Sequence, residues 1–387
     1  MQAKIFVNAE MINEEMIGVE SSRPKGDIRM HSIRFATVRR ICIAVCISLA
    51  AVFFGGCGQT TKGETTVGQT QSMQRDTVSG TETGDGSMQN SYTQSMEGTY
   101  TAASGIDEVI SDPVFTPYGR LLFPTDDGYW SGDTLGDLDL VWYNDIDPDT
   151  TVDIVNTLHN RAASGERIFY DIYTAEEKKE DPEKEDTGLF FFRGNTGAKT
   201  AIVNAGGGFA YVGAMQDSFP VSLELSREGY NAFALIYRPG AQTACEDLSK
   251  AIAFLEEHAD ELGIDMNGYS LWGGSAGARM ADWVGTYGTA AFGERAYTKP
   301  AAVILQYSGL AEVTGDEPPT YACVGTADGI ASWRTMQARI RAIRANGTDA
   351  KIDIFQGLPH GFGLGIGTAA EGWMDHAVQF WEAHIGE

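Results

Sequence analysis

Positive charge is scarce in this chain: 28 Lys and Arg stand against 53 Asp and Glu over 387 residues, a formal net charge of −25. Phosphate recognition needs a concentrated basic surface, so the acidity argues against a nucleic-acid binder. Cysteine is equally sparse. The five present (Cys42, Cys46, Cys57, Cys245 and Cys323) form no close metal-ligand cluster, which argues against a zinc module and against a dense disulfide framework. No internal repeat is visible. No apolar stretch reaches the length of a membrane-spanning helix either; the longest, Ile41 to Phe54, has 14 residues. With 43% hydrophobic residues, the chain still has ample material for a core.

That apolar run has the character of an export signal. From Met30 the chain reads M-H-S-I-R-F-A-T-V-R-R, with Arg34, Arg39 and Arg40 ahead of the run, and then closes F-F-G-G-C at Cys57. A basic segment, a short apolar segment and a terminal cysteine match a secretory signal with a bacterial lipoprotein cleavage box, although Phe54 stands where such a box prefers Leu. The expectation is a lipidated Cys57, a start at Met30, and a protein exported to the bacterial cell surface and held to the membrane through its lipid. An ordinary cleaved signal or an uncleaved anchor is the alternative. Residues 58–105 are Ser-, Thr-, Gly- and Gln-rich with almost no aliphatics, a composition that cannot offset ordering entropy by burial. They read as a disordered stalk. The expected organisation is thus a leader (1–57), the stalk (58–105), an N-terminal extension of unclear fold (106–165) and a catalytic domain (166–387). Removal of the leader would leave Cys245 and Cys323, either as a pair or as two buried thiols.

Beyond residue 165 the pattern alternates. Strands are predicted over Arg167–Tyr173, Gly188–Arg193, Thr200–Asn204, Asn231–Tyr237, Tyr269–Trp272, Ala301–Tyr307, Thr320–Val324 and Lys351–Phe355. Between and after them, helices are predicted over Ala214–Glu228, Cys245–Leu262, from Ala276 onward, Ser332–Asn346 and Glu371–Ile385. A helix over Thr151–Ala163 precedes them, and the charged segment E-E-K-K-E-D-P-E-K-E-D reads as a loop. Two early strands followed by β-α repeats of short apolar strands predict an α/β fold: a mostly parallel sheet of about eight strands with helices on both faces.

The chemistry-bearing motifs fall at strand ends. Gly273-Gly274-Ser275-Ala276-Gly277 (G-x-S-x-G) follows a strand and opens a helix, the setting of a nucleophile held on a strained turn. Asn204-Ala205-Gly206-Gly207-Gly208-Phe209 ends an earlier strand, and consecutive glycines let main-chain N–H groups face one pocket. No G-x-x-x-x-G-K-[ST] follows it, so a phosphate cradle is disfavoured. A serine nucleophile needs a base and the base an orienting acid. His159, His258, His376 and His384 fall within predicted helices, whereas His360 sits in the loop G-L-P-H-G-F-G just past a strand. Asp328 follows the strand before it, in V-G-T-A-D-G-I, while Asp316 and Glu317 belong at that strand's other end. Ser275, Asp328 and His360 therefore gather in chain order along one sheet edge, where ligands bind in open α/β sheets.

These motifs, with I-Y-R-P-G (Ile236 to Gly240) and the D-L-x-x-A-I-x-F-L helix from Asp247, make residues 166–385 resemble the α/β-hydrolase fold. Within it they resemble the H-G-G-G-F-loop esterases, the hormone-sensitive-lipase-like and BD-FAE (feruloyl-esterase-like) groups. The resemblance implies Ser275 as nucleophile, His360 as base, Asp328 as orienter, and oxyanion donors on Gly207, Gly208 and Ala276. It implies hydrolysis of a small ester or acylated carbohydrate through an acyl-enzyme, with no metal or organic cofactor. Phe209 and Tyr211 are candidate substrate contacts, and Asp282–Thr298 is a candidate small cap. Two departures stand out: Ala205 replaces the usual His of the loop, and Gly274 replaces the commoner Asp of the elbow. A serine exopeptidase on the same scaffold and a non-catalytic surface-binding lipoprotein are the alternatives.

Overall fold

Short runs of consecutive apolar residues bounded by glycine can be buried on both faces only inside a layered structure, and that is how this chain uses them. The structure, a computed structural model, describes residues 99–126, 128–143 and 146–386. The leader, Cys57 and residues 58–98 of the expected stalk lie outside the described residues. In chain order the elements are α1 (Ile106–Ser111), β1 (Trp130–Ser131), β2 (Asp139–Leu140), α2 (Pro148–Ala163), β3 (Phe169–Tyr170), α3 (Ala175–Glu180), β4 (Gly188–Phe192) and β5 (Lys199–Asn204). There follow α4 (Ser218–Arg227), β6 (Asn231–Ile236), α5 (Ala241–Leu262), β7 (Asp265–Gly274), α6 (Ala276–Tyr287), β8 (Ala302–Gln306), β9 (Thr320–Gly325), α7 (Trp333–Ala345), β10 (Ala350–Phe355) and α8 (Trp373–Glu382).

Strands β3 to β10 form one sheet in the order β3-β4-β6-β5-β7-β8-β9-β10. β4 pairs antiparallel with both β3 and β6, and the pairings from β6 across to β10 are parallel. This is the α/β-hydrolase fold, as expected. The strand order reverses at β5: the chain steps from β5 out to β6, then crosses back to β7 on the other side. The carboxyl ends of β5 and β7 thus flank a topological switch point, the natural crevice of an open α/β sheet.

The structure corrects several expectations. Tyr100, assigned to the stalk, is buried, and its backbone N–H and carbonyl are both bonded by the Asn156 side chain at 2.8 and 2.9 Å. Ordered structure therefore begins before residue 106. Residues 106–165 are no separate extension: Leu121, Phe123, Leu138 and Leu140 are buried in the same hydrophobic core as the sheet. The charged loop after β3 contains α3, nucleated by a Thr174/Glu177 capping box that the S/T-x-x-E spacing announces. The helix expected over Ala214–Glu228 is broken at Asp217, with a single 3₁₀ turn at Ala214–Gln216 before α4. Cys245 and Cys323 are buried free thiols. Among the described residues, no helix is long and apolar enough to cross a membrane.

Asp282–Thr298 is not a cap. α6 begins directly after Ser275 and runs about 18 Å away from it, and no residue of Asp282–Thr298 lines the cleft above Ser275. Asp282 is instead buried and paired bidentately with Arg339 of α7, at 2.8 and 2.9 Å. Breaking such a pair strands a buried guanidinium, which costs about 3–5 kcal/mol. Asp282→Ala should therefore lower unfolding free energy in urea by that order, while the remaining folded protein keeps an unaltered KM for any substrate.

Candidate active site

Ser275 is placed by backbone geometry that its sequence surroundings make affordable. Its φ of 51° lies in the left-handed region, a strained state for a residue with a side chain. The turn is held by its N–H, which donates to the carbonyl of Gln306 at the end of β8 (3.0 Å). The Gln306 side chain in turn donates to the Gly363 carbonyl at 2.9 Å, tying the elbow to the loop that carries His360.

His360 completes a hydrogen-bonded chain. Its Nε2 lies 3.0 Å from Ser275 Oγ and its Nδ1 2.8 Å from Asp328 Oδ2. The other Asp328 oxygen accepts the N–H groups of Ile330 and Ala331, at 2.8 and 2.7 Å, which fixes the carboxylate plane. With Nδ1–H donated to Asp328, Nε2 is left to accept the serine proton. The imidazole is buried, and Tyr307 packs against it with ring centroids 4.6 Å apart. The other four predicted-helix histidines are engaged elsewhere: His159 with Asp112, His376 with Asp353, His258 and His384 with the carbonyls four residues before them. Glu317 accepts the backbone N–H groups of Thr314 and Gly315 ahead of β9, at the far end of that strand.

The glycine loop after β5 turns as its composition allows. Gly207 and Gly208 have φ of 122° and 63°, and Phe209 continues at 57°. No hydrogen bond within the described residues occupies the N–H of Gly207 or Gly208. Ala276 is the first residue of α6, where N–H groups lack intrahelical acceptors. An open cleft of about 380 Å³ lies above Ser275, lined by Trp142, Tyr143, Gly207, Gly208, Ser275, Ile330 and His360.

Phe209 and Tyr211 are absent from that lining. Phe209 is buried and stacks on Trp283, and the Tyr211 hydroxyl donates to the Val141 carbonyl while its ring clusters with Tyr129 and Trp142. They are packing residues, because the left-handed turn at Phe209 swings the following side chains behind the loop. Of the aromatics that do line the cleft, Trp142 is the exposed one. Its indole lies over Gly208, so close that a side chain there would meet the ring at 2.9 Å, and its own φ is 74°. Sequence reasoning also missed Tyr143 and Asp217. The Tyr143 hydroxyl donates to Asp217 at 2.9 Å beneath the glycine loop. Burial, and then the neighbouring carboxylate, pushes the Tyr143 phenol well above its ordinary range, and burial raises Asp217 to about 6. The signal for all three was weak: aromatic residues in a segment without period, and an acid inside an apparent helix. Among the described residues, no group of three or more His, Cys, Asp and Glu side chains could hold a metal ion.

Residues 192–315, which span the glycine loop and the elbow, match the BD-FAE family. Among solved structures the chain is similar to an acetyl ester-xyloside bifunctional hydrolase from Caldicellulosiruptor lactoaceticus, at 22% identity over 51% of this chain and 88% of that one, with a TM-score of 0.46. It is also similar to a thermophilic esterase from Thermogutta terrifontis, at 20% identity over 56% and 94% of the two chains, with a TM-score of 0.48. A third is MGS-M1, an α/β hydrolase from a Medee basin deep-sea metagenome library, at 18% identity over 52% and 93%, with a TM-score of 0.45. No curated protein matches this chain.

A serine bonded to a neutral imidazole is the most nucleophilic hydroxyl such a cleft can offer. A fluorophosphonate probe should label Ser275 stoichiometrically at pH 8, as located by peptide mass spectrometry. His360→Asn should slow that labelling by at least about a hundredfold.

Proposed function

We propose that this protein is a serine esterase that removes small acyl groups, acetyl or similar, from carbohydrate or other small neutral esters. The observation that carries the reading is the continuous Asp328–His360–Ser275 hydrogen-bond chain opening onto a cleft beside unengaged glycine N–H groups. Ser275 Oγ attacks the acyl carbon as His360 Nε2 takes its proton, and Asp328 stabilises the imidazolium that forms. The N–H groups of Gly207, Gly208 and Ala276 receive the negative charge on the carbonyl oxygen. Collapse expels the alkoxide, which takes from His360 the proton that Ser275 gave up and leaves as the alcohol, and an acyl-enzyme remains. Water, deprotonated by the same imidazole, then releases the acid and restores Ser275. Every proton that leaves an oxygen returns to one, so no cofactor is consumed.

The cleft's walls bear on the substrate. Trp142 and Ile330 are 44% and 62% exposed, two of only four large hydrophobics that stand in solvent among the described residues. They favour an ester whose body presents an apolar face, such as a ring. The chain's excess of acidic residues disfavours anionic esters. An exopeptidase would need an acidic anchor for a substrate amine, and no carboxylate lines the cleft. We place the enzyme outside the cell, tethered through Cys57; the basic and apolar leader from Met30 is the support for that placement.

The test is turnover of p-nitrophenyl esters of increasing acyl length. Acetate and butyrate should be hydrolysed fastest, long-chain esters poorly, and an aminoacyl-arylamide not at all. Ser275→Ala should lower kcat at least about ten-thousandfold. Trp142→Ala should raise KM about tenfold for ring-bearing esters and leave ethyl acetate nearly unchanged. A preference for the arylamide would replace the esterase reading with the peptidase one.

A further inference from the structure

Asp217 is a buried carboxylate that the reaction just described does not use, at a position where it forgoes its ordinary structural role. It immediately precedes α4, the place where an Asp side chain normally accepts a hydrogen bond from the first helical turn. Its side chain makes no such bond. With φ of −129° and ψ of −73° the backbone breaks there, and the carboxylate turns away from the helix. Asp217 Oδ2 instead accepts the N–H of Gly206 at 2.8 Å and the hydroxyl of Tyr143 at 2.9 Å.

The glycine loop has a complete set of inward anchors, and Asp217 supplies one of them. The Ala205 carbonyl accepts the Tyr237 hydroxyl (2.7 Å) and the Gly206 carbonyl accepts the Gly213 N–H (3.0 Å). The Gly207 carbonyl accepts the N–H groups of Ala210 and Tyr211. In a trans peptide the C=O and the following N–H point opposite ways. Carbonyls of Gly206 and Gly207 held on one side therefore put the N–H groups of Gly207 and Gly208 on the other. The entry peptide lacks a main-chain partner for its N–H, that of Gly206, and the carboxylate takes it.

The same carboxylate abuts the nucleophile's turn. A Cβ on Gly274 would lie 2.4 and 2.5 Å from its two oxygens, so the space a side chain at that elbow position would fill is taken by Asp217. The missing elbow side chain and the Asp217 carboxylate are complementary. One group thus contacts the oxyanion loop, the residue before the nucleophile, and the segment carrying Trp142 and Tyr143.

We infer that Asp217 is a positioning residue of the oxyanion hole, fixing the glycine loop at a set distance from Ser275 through Gly206 and Tyr143. The inference rests on the esterase reading. Burial holds Asp217 up at about 6, above the ordinary 3.8 of its side chain. The groups that face it are the phenols of Tyr143, Tyr211, Tyr237 and Tyr307, the Cys323 thiol and His360, with no standing cation among them. A carboxyl whose folded-state value is raised favours folding below its unfolded value and loses that contribution as pH rises through the folded one. At pH 7.5 Asp217 is therefore ionised against the preference of the fold.

The test compares Asp217→Asn and Tyr143→Phe with the wild-type full chain on p-nitrophenyl acetate. Asp217→Asn should lower kcat about ten- to hundredfold with KM within about threefold, while its Tm at pH 7.5 equals or exceeds wild type. Tyr143→Phe removes a bond to the ionised carboxylate, so the acid limb of its kcat profile should move to higher pH. That displacement should vanish in the double variant. An Asp217→Asn enzyme within about twofold of wild type, a kcat loss matched by a falling Tm, or an unmoved acid limb in Tyr143→Phe would each overturn the inference. Wild-type protein that neither turns over the ester nor takes the fluorophosphonate would instead sink the esterase reading, and this inference with it.

Discussion

The left-handed backbone at Ser275 is the constraint around which the site is organised. Strain of this kind costs about 1–3 kcal/mol and persists only where surrounding structure over-determines it. Here the over-determination is visible. β7 enters the turn between β5 and β8, both parallel to it and buried along the pairing except at Lys199, where β5 begins, and α6 leaves the turn with an almost wholly buried surface. The Ser275 N–H is bonded to Gln306, whose side chain reaches Gly363 in the His360 loop. Displacing the serine would thus disturb three strand ends and the base together. The sheet core offsets the strain, and the strain in turn presents the hydroxyl above the sheet edge.

Around that fixed point, the segment before residue 166 does more than cover the core. It lies outside the stretch that matches BD-FAE, yet Trp142 forms one wall of the cleft and Tyr143 reaches beneath the glycine loop. Its attachment is mutual. The Tyr211 hydroxyl holds the Val141 carbonyl, and the Trp142–Tyr143 backbone lies against Gly361, next to His360. Trp142 itself sits at a positive φ, so a second strained residue borders the same cleft. The matched stretch carries Ser275 and the glycine loop, Asp328 and His360 lie beyond it, and the preceding segment walls the cleft above them.

The parts of this arrangement that were legible in the sequence are those governed by local rules. Glycines at fixed offsets announced the elbow and the loop. Short apolar runs ending in glycine announced the parallel strands, and the position of His360 and Asp328 relative to those runs located the rest of the chain Asp328–His360–Ser275. The illegible parts depend on tertiary contact. Residues 106–143 hold two-residue strands and single turns, too short to set up a hydrophobic period, and their burial comes from packing on the sheet. Phe209 and Tyr211 were misassigned for a related reason: adjacency to the loop says nothing about which way a left-handed turn sends the next side chains.

Asp217 combines both failures. In A-M-Q-D-S-F-P an Asp three residues before a Pro marks a helix start, a signal that the helix expected over Ala214–Glu228 ran through. Once the chain is folded, the break follows from competition for one carboxylate. The first turn of α4 needs an acceptor, and so does the Gly206 N–H, which is buried under the loop where water cannot reach it. An exposed helix end can be served by solvent, whereas an unmade bond at a buried N–H costs its full desolvation penalty. α4 here has buried residues from its first position, and the Ser218 and Ser222 hydroxyls find no partner among the described residues. The loop's claim prevailed even so, and the two departures from the usual esterase pattern are consistent with that outcome. Gly274 leaves the room that the carboxylate fills, and Ala205 leaves its carbonyl to Tyr237 and no polar side chain to compete for Asp217.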